Sequence, residues 1–159
     1  MLREIPAVFS SEGHLLHGTF FRTSESLSER APCVLVTGSW LNVKEQIATT
    51  WARALAERGL NTFVFDFTGW GESGGESRNL EMPTAKVRDM MQAVEHVSSM
   101  SFAGPRVGHL AVCASAQYAL RAIARGARID AFVSIAGWFH DSASVAPFYG
   151  ANEGVERRM

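Results

Sequence analysis

From Ala31 to Phe139, short apolar runs rich in β-branched and aromatic residues alternate with longer stretches whose apolar residues recur at helical spacing. Few folds accommodate that alternation. "CVLVTG" reads as a buried strand, "KEQIATTWARALAERG" as a helix with Ile47, Trp51 and Leu55 on one face and Gly59 as its stop, and "NTFVFDF" as the next strand. "MPTAKVRDMMQAVEHVSSM" follows as a helix with Pro83 near its start and Val87, Met90, Met91, Val94 and Val97 at helical spacing. "RVGHLAV", "ASAQYALRAIARG" and "IDAFVSIAGWF" then read as strand, helix and strand. Strands that are apolar throughout need cover on both faces, so the pattern predicts an α/β fold with a mainly parallel sheet and helices on both sides. The amino-terminal "IPAVFSS" and "HLLHGTFFRT", joined at Glu12 and Gly13, read as an antiparallel strand pair, and "TSESLSERAP" as a polar loop.

Composition narrows the classes of function. A hydrophobic share of 47% with 19% charged residues suits one globular domain over residues 1–159. A formal charge of −1 gives no electrostatic footprint for nucleic acid or an anionic membrane, and the basic pair Arg157 and Arg158 is terminal. Neither partner is expected. Cys33 and Cys113 sit in apolar surroundings without CxxC spacing, which suggests no disulfide framework and no zinc site, and points to a reducing cytoplasm. "MLREIPAVFS" lacks the pattern of a secretory signal, and "AFVSIAGWF" is too short to span a bilayer. His14 and His17 face opposite sides of their strand, which disfavours a metal pair. "GWGESG" matches G-x-G-x-x-G, but "GESRNLEMP" after it is loop chemistry and Asp89 lies within a helix pattern. These glycines read as turn residues, and no cofactor is expected.

Ligands of such sheets bind outside the carboxyl ends of the strands, which directs attention to "TGSWLNVKEQ", "DFTGWGESGGE" and "RVGHLAVCASAQYAL". The last of these holds two potential nucleophiles at a strand-to-helix junction. A nucleophile elbow needs small residues two positions before and two after its apex. With Ser115 at the apex the flanks are Cys113 and the bulky Gln117; with Cys113 they are Ala111 and Ser115, both small. Cys113 is the better nucleophile, with Ser115 as the alternative. A thiol there also gains from the dipole of the helix behind it, which favours the thiolate. The competing reading is a small apolar cysteine in packing, as expected for Cys33.

"VLVTGSWLNVKEQ", "FVFDFTGWGESGG", "VGHLAVCASAQYAL" and "FVSIAGWFHD", in that order, resemble the amino-terminal part of the α/β-hydrolase superfamily, in a branch similar to dienelactone hydrolases. The resemblance implies the strand order 1-2-4-3-5-6 and hydrolysis of an ester, lactone or thioester bond in a small-molecule acyl substrate. It also implies an oxyanion hole from the backbone N–H of Ala114 and of Ser39 or Trp40. In the family the acid follows a seventh strand and the base histidine an eighth, whereas this sequence stops after the sixth. It therefore reads as truncated, and as incomplete or weakly active. The alternative is a degenerate hydrolase that binds or interacts without turnover.

His140 and Asp141 follow the last strand and form the His/Asp pair on the functional edge, although they also suit the start of a cap region. His109 should point into a packed face, and His96 sits on a helix. Asp66 is expected to hold the glycine loop through backbone N–H groups. The last strand would leave an apolar open edge, a site for a homodimer or for a partner chain that completes the sheet.

Overall fold

The computed structural model describes residues 1–23 and 30–149. Most of the polar "TSESLSERAP" loop and the terminal Arg157 and Arg158 lie outside the described residues. Six strands form one sheet in the order β1-β2-β4-β3-β5-β6, as the resemblance implies. β1 (Leu2–Ser11) and β2 (His14–Thr23) are the expected antiparallel pair, and β2 runs antiparallel to β4 (Asn61–Phe65). β3 (Ala31–Thr37), β4, β5 (Ala103–Val112) and β6 (Ala131–Ile135) are mutually parallel. The carboxyl ends of β3, β4, β5 and β6 therefore lie on one edge.

Burial explains why these segments are strands. β4 is buried at every residue: Phe63 and Phe65 enter one core layer, Val64 the other, and Thr62 donates its hydroxyl to the Ala52 carbonyl at 3.0 Å. Beneath α2 (Pro83–Ser99) and α3 (Ser115–Ala124) lies the larger layer, with Phe9, Leu16, Phe20, Leu35, Phe63 and Tyr118 among its members. Beneath α1 (Ile47–Ala56) lies the smaller one, with Phe21, Val36, Val64, Leu110 and Val112.

Two details differ from expectation. The stripe of α1 that meets the sheet is Ala48, Ala52 and Ala56, while Ile47 and Leu55 flank it and Trp51 stands 39% exposed. Small side chains let the helix approach β4 closely, and the indole is left on the rim. The last strand is also shorter than "IDAFVSIAGWF": it stops at Ile135, because Ala136 adopts φ 47° and turns the chain back across the end of β5. α4 (Ser142–Val145) and a 3-10 turn at Ala146–Tyr149 follow. Among the described residues no helix is long and apolar enough to cross a membrane.

Candidate active site

Between β5 and α3 only Cys113 and Ala114 make the turn, and Cys113 carries φ 56°, a left-handed conformation that side chains other than glycine rarely adopt. Such a residue costs about 1–3 kcal/mol and persists only where its surroundings over-determine it. Three backbone hydrogen bonds do so here: the Cys113 N–H donates to Ile135 at 2.9 Å, and the Cys113 carbonyl accepts from Ala116 and from Trp138, both at 3.1 Å. Cys113 is partly exposed as a residue. Ser115, in contrast, is 2% exposed and shares its hydroxyl hydrogen between the carbonyls of Val112 at 3.0 Å and Thr37 at 3.2 Å. Of the two potential nucleophiles, the apex holds Cys113 and the first turn of α3 holds Ser115. Cys33 lies buried mid-strand, where burial pushes its thiol up to about 12.

The loop after β3 is held at both ends. Next to its start, the Thr37 hydroxyl meets His109 Nε2 at 2.9 Å, and burial depresses that imidazole to about 3. His109 thus lies in a packed face, as expected. Ser39 and Trp40 follow, half-buried, and Trp40 Nε1 donates to the Tyr118 hydroxyl at 3.0 Å. Leu41 then takes φ 52°. At the far end both oxygens of buried Asp66 hold Lys44: Oδ1 accepts its backbone N–H and Oδ2 its ammonium, each at 2.8 Å. Asp66 Oδ2 also accepts the Glu72 N–H at 3.1 Å, and the Asp66 carbonyl accepts the Ser73 hydroxyl at 2.6 Å, so this carboxylate does hold the glycine loop. Gly71 is required there, since at φ 50° a Cβ would collide with the Asp66 carboxylate.

Carboxylates of Glu45, Asp66 and Glu72 lie close enough together to suggest a cation site. The cation is Lys44, whose ammonium contacts them at 2.7, 2.8 and 2.5 Å. Burial alone would lower its pKa, but hydrogen bonds to Asp66, Glu45 and Glu72 outweigh burial and raise it. Sequence reasoning missed this clamp, because "KEQIATT" reads as the first turns of a helix that in fact starts at Ile47.

His140 and Asp141 lie beyond β6 on the same edge, but no hydrogen bond joins their side chains. The Asp141 carboxylate accepts the Ser144 N–H at 2.8 Å. The His140 ring stands edge-on to Trp40 at 5.1 Å and lies 5.8 Å from Trp138, with Nδ1 buried and unpartnered. Burial, with a further contribution from the Arg121 charge, lowers its pKa. The His140 N–H donates to Gln117 Oε1 at 3.0 Å, so the segment after β6 is tied to α3 as well as to the apex.

A second unforeseen set lies behind Trp40. The Tyr118 hydroxyl donates to Glu81 Oε1 at 2.9 Å, and Lys86 donates to Glu81 Oε2 at 2.8 Å. Tyr118 and Lys86 are 1% and 2% exposed. Asp89, buried one turn further along α2, accepts hydrogen bonds from Ser11, at 2.6 Å, and from Thr68. The sequence carries one faint signal for these residues: charges on the apolar side of an otherwise amphipathic helix.

The strand order, with its antiparallel amino-terminal pair, is that of the α/β-hydrolase fold, and the chain has that fold. No protein-family model matches it. The chain is 37% identical over 94 residues to the uncharacterized protein YcjY of Escherichia coli K12, an alignment covering 58% of this chain and 31% of that protein. It is 35% identical over 107 residues to PA2218 of Pseudomonas aeruginosa, covering 67% and 29%. The crystal structure of PA2218 superposes with a TM-score of 0.86 at 26% identity, over 98% of this chain and 50% of that one. An α/β hydrolase from Penicillium, GrgF, shares the fold at a TM-score of 0.77 and 22% identity, over 85% and 46%. Dienelactone hydrolase-like proteins and esterases share it too. The chain spans about half the length of the structures it resembles, and under a third of the curated relatives.

Proposed function

We propose that the chain carries the nucleophile half of an acyl hydrolase, with Cys113 attacking the carbonyl of a small ester, lactone or thioester. The left-handed apex at Cys113 is the observation that carries this reading: a strained, partly exposed cysteine stands at the turn between β5 and α3, on the edge where the parallel strands end. The thiolate adds to the acyl carbon, the carbon–sulfur bond forms as the bond to the leaving alkoxide or thiolate breaks, and the leaving group takes up a proton. Water then hydrolyses the thioester and restores the thiol. The backbone N–H groups of Ala114 and of Ser39 or Trp40 stabilise the oxyanion of each addition step. His140, whose pKa burial lowers, is the base assigned to the thiol proton; Asp141 is occupied at the start of α4.

The test is a burst experiment with 4-nitrophenyl acetate. Stoichiometric release of 4-nitrophenolate that disappears in Cys113→Ala supports the reading, and a burst that survives the substitution refutes it.

A second reading is favoured by β6. Among the described residues this strand is last in the sheet order, and Val133 on it is 52% exposed, so its outer edge suits a second copy of the chain or a separate chain that completes the sheet. In that case the protein binds or interacts, and turnover is absent.

A further inference from the structure

We propose that Tyr118 is a positioning residue, which through its hydroxyl sets Trp40 and thereby the backbone N–H groups of Ser39 and Trp40 that line the oxyanion side of the site. The inference rests on the hydrolase reading above, and names which side chain keeps that side of the site in shape. Main-chain donors stabilise a developing oxyanion only if they are already aimed, and a loop with Leu41 in a left-handed conformation needs fixed points to hold its direction. Lys44 supplies the distal one through Asp66. The proximal fixed point is the indole of Trp40, whose Nε1 donates to Tyr118 at 3.0 Å.

Tyr118 is suited to hold it. Its hydroxyl accepts from Trp40 and donates its own hydrogen to Glu81 at 2.9 Å, so its rotation is fixed and its lone pair faces the indole. Glu81 is fixed in turn by Lys86, 2% exposed, whose ammonium lies 4.8 and 4.9 Å from the ring centroids of Phe67 and Trp70. The polar line Lys86, Glu81, Tyr118, Trp40 runs from α2 across α3 to the loop after β3. Packing alone needs no such line, since a phenylalanine would fill the space of Tyr118. The same indole walls the site together with Trp138 and His140, at 6.2 and 5.1 Å.

The test compares Tyr118→Phe, Trp40→Phe and the double variant by two measurements on the whole chain: amide and indole resonances with hydrogen exchange at Ser39, Trp40 and Leu41, and the 4-nitrophenyl acetate burst. Each single variant is expected to shift these amides, speed their exchange and slow the saturated burst about tenfold, the effect of one lost hydrogen bond. Half-saturation should stay within about twofold, and the double variant should be no slower than either single one. Unchanged amides in Tyr118→Phe, or effects that multiply in the double variant, overturn the proposal. A wild-type chain with no burst refutes the hydrolase reading, and the resonances then decide on Tyr118 by themselves. If Tyr118→Phe does not fold, Trp40→Phe, which removes the same bond from the half-buried side, decides by the same criteria.

Discussion

The Ser115 hydroxyl reaches the Thr37 carbonyl at 3.2 Å and thereby ties the first turn of α3 to the end of β3. A serine so engaged is a structural fastener between the two loops that flank Cys113. Ser115→Ala is expected to cost about 1 kcal/mol in urea unfolding and to leave the rate of Cys113 alkylation by iodoacetamide within about twofold of wild type. An abolished burst in this variant, with Cys113 still alkylated at the wild-type rate, would return the nucleophile role to Ser115.

Lys44 answers to a different balance. Removing its ammonium leaves the Asp66 carboxylate buried without its counter-ion, while Glu45 and Glu72 remain 58% and 67% exposed and bear little of the loss. Lys44→Met is expected to destabilise the chain by about 2–4 kcal/mol in equilibrium unfolding, and Glu72→Gln by clearly less. Equal effects would mean that Asp66 does not anchor the loop.

His109 links stability to acid. Its imidazole is buried and its pKa falls from 6.5 to about 3 in the folded chain, so between those values the unfolded chain binds the additional proton. Stability from this group is complete above about pH 6.5 and is lost on acidification towards pH 3, by up to about 1.4 kcal/mol per pH unit. His109→Gln, which keeps a polar partner for Thr37, should remove about one proton from the slope of unfolding free energy over that interval. A slope unchanged by the substitution contradicts the assignment.

The outer edge of β6, last in the sheet among the described residues, gives a prediction about assembly. Val133→Lys places a charge on exposed Val133 and should shift the chain to monomer in sedimentation velocity if copies meet there. A wild-type chain that sediments as a lone monomer at all concentrations argues against the interaction reading.

The architecture was legible because its signal is burial. β4 and the parallel strands beside it are apolar runs of the kind a doubly covered sheet requires, while the strand order came from the resemblance to the α/β hydrolases. Side-chain size directed attention to Cys113, and in the structure Cys113 takes φ 56° at the turn between β5 and α3 while Gln117 turns to the His140 N–H. What escaped was polar and long-range. Lys44 with Asp66, and Tyr118 with Trp40, are 22 and 78 residues apart in sequence, and no periodicity links them. Trp51 misled for a related reason: helical spacing marks a broad face, but close contact with β4 selects its alanines.

The most direct test of the central claim is mass analysis of the chain quenched within the burst after mixing with 4-nitrophenyl acetate, followed by peptide mapping. One acetyl group per chain, on the peptide containing Cys113 and absent in Cys113→Ala, is the predicted result. No adduct, or an acetyl group carried by Ser115, would contradict it.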